Sequence, residues 1–347
     1  MSAPRVAFVM EQTLGNVTHY LNLRSQAADA AGIDPLWLPI EYSEGRLWWA
    51  LRGSVLAWRT LQKNLGRVDA CFMHTTTLAL LSGRTLRKRP VFISSDGTAL
   101  NKRYMREAYG LEPDNALVQR GKRLLYRDSF QRAAGLIAWS RWTKDSFVND
   151  YGCREETVSV LPPGVDLSEG PPPPRTNEKP RILFVGGEFE RKGGMLLLDL
   201  FRRRLRGRAT LVLLTRTPEV QPEEDIEVHR WRAPNASETK RLSAEADAFA
   251  LPTRADCFPF ACLEAMAAAL PVVSTRVGAI PEMVEHGQSG YLADIDDADA
   301  MGDALEALVL DRALRERMGA NGRAAAARNY DLRTTARALF EHIRARC

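Results

Sequence analysis

Leu251-Pro252-Thr253-Arg254-Ala255-Asp256-Cys257-Phe258-Pro259-Phe260-Ala261-Cys262-Leu263-Glu264-Ala265-Met266-Ala267, followed by Leu270-Pro271-Val272-Val273, reads as the end of a strand, an irregular loop, a helix from about Phe260 and the next strand. A loop and helix start in that order present backbone N–H groups, here around Phe258, Phe260, Ala261 and Cys262, at the C-terminal edge of a sheet. Open α/β sheets take ligands at that edge, and a helix N-terminus favours phosphate. Asp256 lies in the loop and Glu264 in the helix. Carboxylates so placed accept hydrogen bonds from vicinal sugar or ribose hydroxyls. For an acid pair standing alone, a helix cap and a surface carboxylate are the plainer reading.

Outward from this segment, short apolar runs alternate with longer amphipathic stretches, the pattern of parallel sheets flanked by helices. The first half offers strands at Val6 to Met10, Ala70 to Met73, Val91 to Ile93, Leu136 to Trp139 and Val158 to Leu161. The second offers Ile182 to Val185, Leu211 to Leu214, Phe249 to Leu251, Val272 to Ser274 and Tyr291 to Ala293. Between the sets, Gly164 to Gly170 runs into Pro171 to Pro174, through which no helix or central strand can pass. The expected domains are therefore 1–170 and 171–330. A last helix, opening at the N-cap candidate Asp331, closes the second domain or crosses back to the first.

A length of 347 residues suits two domains, and 45% hydrophobic with 26% charged residues is the composition of a soluble globular protein. No run approaches the roughly 20 apolar residues of a membrane span. Five cysteines without a CxxC pair suggest neither a disulfide framework nor a zinc knuckle, so a reducing cytoplasm is expected. The strand-like Arg5 to Met10 follows Met1 almost at once, and no signal peptide is expected. Charge is uneven: residues 46–144 carry 19 Lys and Arg against 6 Asp and Glu, while the whole chain is only +5. An anionic partner for the first half follows, or else solvated helix faces.

Arg46-Leu47-Trp48-Trp49-Ala50-Leu51-Arg52, continuing through Val55, Leu56, Trp58, Arg59, Leu61, Lys63 and Arg67, mixes interfacial aromatics with cations at helical spacing. Arg84, Arg87, Lys88 and Arg89 and the stretch Lys122 to Arg127 add to it. An anionic membrane surface is the expected partner, with the protein peripheral on the inner face. The competing reading packs Trp48, Leu51, Val55 and Trp58 inward on the sheet. No nucleic-acid recognition motif accompanies the charge.

An acidic residue, seven residues, then Glu-Ala-Met-Ala and a Pro-Val-Val strand together resemble the signature of the family 4 retaining glycosyltransferases. The likeness continues through Gly278-Ala279-Ile280-Pro281-Glu282-Met283-Val284 and Gly287 to Gly290, and upstream through Leu161 to Asp166; over residues 20–130 it is weak. It implies the GT-B fold, two Rossmann-like domains facing across a cleft, with a nucleotide-diphosphate sugar held mainly on the second domain and a saccharide or lipid-linked acceptor on the first. It implies that Asp256, where the family usually has Glu, contacts the donor sugar, and that Glu264 contacts the ribose. It further implies retention of anomeric configuration by front-face attack, the leaving diphosphate helping to deprotonate the acceptor. Positioning and electrostatics then supply most of the catalysis, with no metal and no other cofactor.

Ile182 to Gly194 supplies a strand, the turn Gly186-Gly187 and the basic pair Arg191-Lys192 before a helix. Glycines admit a ligand close to backbone, and cations offset diphosphate charge. By resemblance Lys192 and Arg191 hold the donor diphosphate; Gly187 stands where relatives commonly place another Arg, so Arg216 is a further candidate. Trp231 and Arg232 are candidates to read the base. In the first domain, Gly15 and Asn16 follow strand one and resemble the family's glycine loop. Ser95 and Asp96 occupy the place where many relatives carry a His near the reacting sugar. Asp96 there stabilises an oxocarbenium-like state or orients the acceptor, or simply forms an Asp-Gly turn. His74, at a strand end, is an acceptor-side candidate or a structural histidine. His19 lies on the first helix.

Asp294-Ile295-Asp296 formally matches the DxD metal motif, but capping and dipole compensation at the following helix explain its acids better. The Gly186-Gly187 turn lacks GxGxxG, which argues against a dehydrogenase. Two rivals remain: a nucleotide-sugar 2-epimerase of the same fold, and a non-catalytic sugar-nucleotide-binding scaffold.

Overall fold

The computed structural model describes residues 3–13, 15–29, 32–42, 49–85, 88–105, 107–110, 115–167, 170, 175–230 and 237–347. Leu14, Arg46 to Trp48, Arg87, Pro171 to Pro174, Trp231 and Arg232 lie outside the described residues. The chain divides into two compact units, Met1–Gly164 with Leu332–Cys347, and Val165–Asp331. Each is a six-stranded sheet, every recorded strand pair parallel, with helices between the strands. The fold is two Rossmann-like domains.

The first unit contains β1 (Arg5–Glu11), β2 (Asp34–Ile40), β3 (Ala70–His74), β4 (Val91–Ser95), β5 (Gly135–Ala138) and β6 (Val158–Val160), in the spatial order β2-β1-β3-β4-β5-β6. Val6 to Met10 of β1 are fully buried, as a parallel strand covered on both faces must be. Its side chains alternate between two cores: Ala7 and Val9 join one, Val6, Phe8 and Met10 the other. The second core is completed by the last helix, Leu332–Arg344, whose Ala336, Leu339, Phe340 and Ile343 recur at helical spacing and are buried. Register aligns the strand ends: Met10 opposes His74, and His74 opposes Ser94.

The second unit contains β7 (Arg181–Val185), β8 (Thr210–Thr215), β9 (Ile226–Arg230), β10 (Ala248–Leu251), β11 (Val272–Thr275) and β12 (Gly290–Ala293), ordered β12-β11-β10-β7-β8-β9. Two strands, β2 and β9, have no counterpart in the sequence reading. Both are sheet edges. β2 carries Pro35 and Pro39, which an edge tolerates because half its N–H groups need no partner, and β9 carries Glu227, His229 and Arg230 on a half-exposed edge.

Strand order reverses direction beside the first strand of each unit, between β1 and β3 and between β7 and β10. A crevice opens at such a switch point beyond the carboxyl ends of the strands, and both units place their polar, buried loops there.

Candidate functional site

In the second unit the loops after β7 and β10 are tied together by Arg191. Its backbone carbonyl accepts from Arg254 N at 2.9 Å, and its guanidinium donates to the Ala255 carbonyl at 2.5 Å and to both Glu188 oxygens at 2.7 and 3.0 Å. The residue is buried. Arg191, read from sequence as a donor cation, is thus a brace between the loops that frame the site. Burial pushes the Glu188 carboxyl up, but the Arg191 hydrogen bond and the charges of Arg191, Lys192 and Arg216 outweigh it and hold the group below its ordinary value.

Two glycines let these loops close up. Gly193 (φ 77°) lies where a Cβ would sit 1.9 Å from the Pro252 carbonyl oxygen, and Gly278 (φ 55°) where a Cβ would sit 2.2 Å from that of Asp256. Only glycine meets both the backbone angle and the space. Lys192 Nζ consequently reaches the Asp256 carboxylate, both side chains being mostly buried. Residues far apart in sequence and singled out separately, one for phosphate and one for sugar, stand in contact at the switch point. Gly186 opens the turn after β7, its missing Cβ lying 3.0 Å from the Lys192 Cβ.

The helix Phe260–Ala267 begins at Pro259 with no side-chain cap. Phe258 and Phe260 are buried, Phe258 edge-on to Tyr330 at 6.1 Å, and Ala261 is half-buried. Their rings pack the unit, leaving backbone as what they offer a ligand. Cys262 is fully buried, and its thiol is pushed far up by burial and further by the charges of Asp256 and Glu264. It is no nucleophile. Glu264 is half-buried and has no hydrogen-bond or ion partner among the described residues; burial raises its carboxyl to about 7, against the lowering charge of Lys240. An unpartnered carboxylate in a desolvated place is suited to a ligand that brings its own donors.

The first unit answers with a hydrogen-bond chain across its strand ends. Trp139 Nε1 donates to Ser94 Oγ at 3.1 Å, and Ser94 Oγ lies 3.3 Å from His74 Nδ1. His74 Nε2 is 3.0 Å from Asn16 Oδ1, Asn16 Nδ2 donates to Thr13 at 3.3 Å, and Thr13 donates to Glu11 at 2.7 Å. Since the Asn16 amide donates from nitrogen, its oxygen accepts, so the His74 proton sits on Nε2 and Nδ1 accepts from Ser94. Burial and the Lys102 charge hold His74 neutral, lowered to about 3. Glu11, fully buried at the end of β1, also accepts from Tyr42 at 2.7 Å and from Thr75. Gly15, the residue before the helix Asn16–Ser25, lies beside the chain, its carbonyl accepting from His19 N at 3.3 Å.

His74 is therefore a structural hub that orients Asn16. His19 belongs with it: its ring lies 4.8 Å from that of His74 and 4.7 Å from that of Trp139, and burial drives it well below its ordinary value. Ser95 is fully buried and its hydroxyl is used within its own turn, accepting from Gly97 N at 3.2 Å and donating to Gly97 O at 2.7 Å. Asp96 is partly exposed and pairs with Lys102 at 2.8 Å. Sequence reading missed Glu11, Tyr42 and Thr75. The one available signal was a lone acid closing an otherwise apolar strand.

Among the described residues no group of three or more His, Cys, Asp and Glu could hold a metal ion. Asp296 pairs with Arg254 at 2.8 Å and Asp294 with Arg276 at 3.7 Å. Asp297, rather than either of them, caps the helix Ala298–Leu310. The expected capping role thus belongs to the next residue.

Two family models match the chain: residues 20–169 match Glycosyltransferase Family 4 and residues 179–311 match Glycosyl transferases group 1. A D-inositol 3-phosphate glycosyltransferase of Pseudarthrobacter chlorophenolicus is 31% identical over 219 residues, 56% of this chain and 51% of that one. A GDP-mannose-dependent alpha-(1-6)-phosphatidylinositol monomannoside mannosyltransferase of Mycobacterium tuberculosis is 28% identical over 233 residues, 59% of this chain and 60% of that one. The chain thus spans about half to three fifths of the length of these relatives. Sucrose-phosphate synthase from Thermosynechococcus elongatus superposes with a TM-score of 0.77 over 99% of this chain and 98% of that one, at 15% identity, and so shares the fold.

Proposed function

Matched in each half by a glycosyltransferase model, the chain belongs to the family 4, group 1 glycosyltransferases, and from that premise we propose that it is a retaining, metal-independent enzyme moving a sugar from a nucleotide-diphosphate donor to a saccharide acceptor. The observation that carries this reading is the meeting of Lys192 with Asp256 at the β7–β10 switch point, with Glu264, which has no hydrogen-bond or ion-pair partner among the described residues, on the helix that follows. A diphosphate takes over the Lys192 cation, the freed Asp256 carboxylate accepts from sugar hydroxyls, and Glu264 accepts from the ribose. Fixed donors of this kind stabilise a departing diphosphate without a divalent ion. Nothing in the first unit is needed as a general base when the leaving group itself takes the proton, consistent with histidines held neutral by burial there.

The test is to incubate the protein with UDP- and GDP-sugars and saccharide acceptors and to follow the anomeric proton of the product by NMR. Retention at the transferred carbon is expected. An inverted product defeats the retaining mechanism, and a donor converted to its 2-epimer without acceptor defeats transfer.

The acceptor of the mycobacterial relative is, by its name, a membrane lipid, and two helices of the first unit suit an anionic membrane surface. Helix Ala116–Arg132 exposes Leu117, Leu124 and Leu125 among exposed Arg120, Arg123 and Arg127. Helix Trp49–Asn64 turns Ser54, Ala57 and Leu61 inward, leaving Leu51 exposed and Val55 and Trp58 half-buried beside Arg52, Arg59 and Lys63. Of the residues considered for inward packing, Trp48 lies outside the described residues, Leu51 faces outward, and Val55 and Trp58 are half-buried. Among the described residues no helix is long and apolar enough to cross a membrane. Flotation with anionic vesicles should carry the protein upward at low salt and less so in Leu124→Asp with Leu125→Asp; a protein that stays at the bottom refutes membrane docking.

A further inference from the structure

At the carboxyl ends of β4 and β5, a cluster stands outside the buried hydrogen-bond chain. Gly97 follows Asp96, and a Cβ there would lie 2.7 Å from Lys102 Cε, 3.0 Å from Trp142 Cζ3 and 3.3 Å from Asn101 Oδ1. The Lys102 stem, the Trp142 indole and the Asn101 amide therefore converge over one bare glycine. Tyr104 meets Trp142 edge-on, centroids 6.5 Å apart and planes at 85°, and is 58% exposed, which is unusual for so large a ring that packs on another. Trp142 is half-buried, and the Lys102–Asp96 pair borders the rings at 2.8 Å, its side chains 33% and 23% exposed.

This corner is fixed from below. Asn101 Nδ2 donates to the Trp142 carbonyl at 3.2 Å, and Asn101 Oδ1 accepts from Thr98 N at 2.7 Å. Thr143 Oγ1 donates to the Asp96 carbonyl at 2.6 Å, and Ser140 caps the short helix Arg141–Asp145 through Thr143 N at 3.1 Å. Two loops from neighbouring strands are thereby locked in register, and the aromatic corner and the ion pair ride on them as a preformed unit.

We propose that Trp142 and Tyr104, with Asp96 and Lys102, form a ledge that binds a pyranose ring of the acceptor. A pyranose presents an apolar face of C–H groups and a rim of hydroxyls. The first demands a flat aromatic surface that is not itself sealed in the core; the second demands a planar acceptor and a cationic donor side by side. Asp96 accepts from two vicinal hydroxyls while Lys102 donates to a ring or hydroxyl oxygen, and Gly97 keeps the space between ring and ion pair narrow. Asp96 thus acts by orienting the acceptor. Asp96 lies two residues past Ser94, a member of the hydrogen-bond chain at the end of β4, so the pair stands beside those strand ends. The ledge rests on the glycosyltransferase reading for the identity of its ligand, and its residues are distinct from those assigned to the donor.

Saturation-transfer NMR on the whole chain tests the ledge with methyl α-D-glucopyranoside, methyl α-D-mannopyranoside and the matching octyl glycosides. Transfer should fall on the C–H protons of one ring face, and affinity should drop roughly tenfold in Trp142→Ala, less in Tyr104→Ala, and recover largely in Trp142→Phe. Equal affinity for methyl and octyl forms means the ledge reads saccharide alone; tighter binding of the octyl form, still lost in Trp142→Ala, means it takes a lipid-linked saccharide. Absence of binding by all four glycosides, or affinity unchanged in both Trp142→Ala and Tyr104→Ala, overturns the proposal. Calorimetry with UDP- and GDP-sugars separates the two readings. Donor binding without glycoside binding removes the ledge alone, whereas glycoside binding lost in Trp142→Ala with no donor binding removes the transferase reading and leaves a saccharide site.

Discussion

The switch points of the two units sit on sheets of related topology, yet their chemistry is opposite. At the β7–β10 edge the side chains are charged, and one of them, Glu264, has no hydrogen-bond or ion-pair partner among the described residues, only the more distant charge of Lys240. At the β1–β3 edge the polar groups saturate one another from Trp139 through His74 to Glu11, and both histidines are held neutral by burial. A ligand entering the second unit gains by replacing a cation–carboxylate contact with its own charge. A ligand at the first meets groups already hydrogen-bonded to one another, apart from His19 Nε2, which is buried without a hydrogen-bond partner among the described residues; its further contacts lie beside the chain, in the Asp96–Lys102 pair and the rings of Tyr104 and Trp142. Parallel sheets supply a place for binding, and the saturation of its hydrogen bonds decides what kind of ligand suits it.

The largest effect should come from removing the cation of the second unit. In Lys192→Ala the donor diphosphate loses a charge-assisted bond of ~1.5–3 kcal/mol, so calorimetry should show donor affinity falling about ten- to a hundredfold. Affinity equal to the parent would mean the Lys192–Asp256 contact is structural. It would then resemble the saturated chain of the first unit.

Acidity should separate the units next, in opposite directions. Glu264 is raised from 4.5 to about 7, so the folded state holds its proton more tightly than the unfolded chain, and folding loses stability as pH rises through that window. Glu264→Gln should therefore stabilise the unliganded protein by on the order of 1–3 kcal/mol above pH 7 and not at all below about pH 4.5, while weakening donor binding. His74 is lowered from 6.5 to about 3, so the unfolded chain binds the proton first, and its contribution to stability is lost as pH falls below 6.5. Histidine NMR should show the His74 ring unprotonated down to about pH 4. A midpoint near 6.5 would mean that its place in the chain is not as described.

What the sequence made legible follows from how far apart the interacting residues lie. Asp256, the helix start at Phe260 and Glu264 form one contiguous strand, loop and helix, so periodicity and loop chemistry revealed them together. The central strands, buried on both faces, were legible as apolar runs. β2 and β9 were not, because edge strands carry the prolines and charges that elsewhere signal loops. Arg191 was found as a cation but not as a brace, since its partner Ala255 is 64 residues away. The Glu11 network joins Thr75 across 64 residues and Tyr42 across 31, with no periodicity to announce it. Trp142 and Tyr104 carry no signal in the sequence; only the fold brings them together over the bare Gly97 and beside an ion pair.

The smallest expected effect concerns the acids that look most like a metal site. Asp294 and Asp296 have the DxD spacing, but each has an arginine for a partner, and both arginines are substantially exposed. Exposed pairs of this kind contribute little, ~0–1 kcal/mol, and Asp297 rather than either of them serves the helix behind. Asp294→Asn combined with Asp296→Asn should accordingly leave donor affinity within about twofold of the parent. Turnover should also persist in EDTA, because Lys192 and backbone N–H groups at the start of Phe260–Ala267 supply the positive potential that a bound ion gives elsewhere. Loss of donor binding in the double variant, together with activity abolished by EDTA and restored by Mn²⁺ or Mg²⁺, would make these acids metal ligands. The second unit would then owe its charge selectivity to an ion, and its contrast with the first would have to be redrawn.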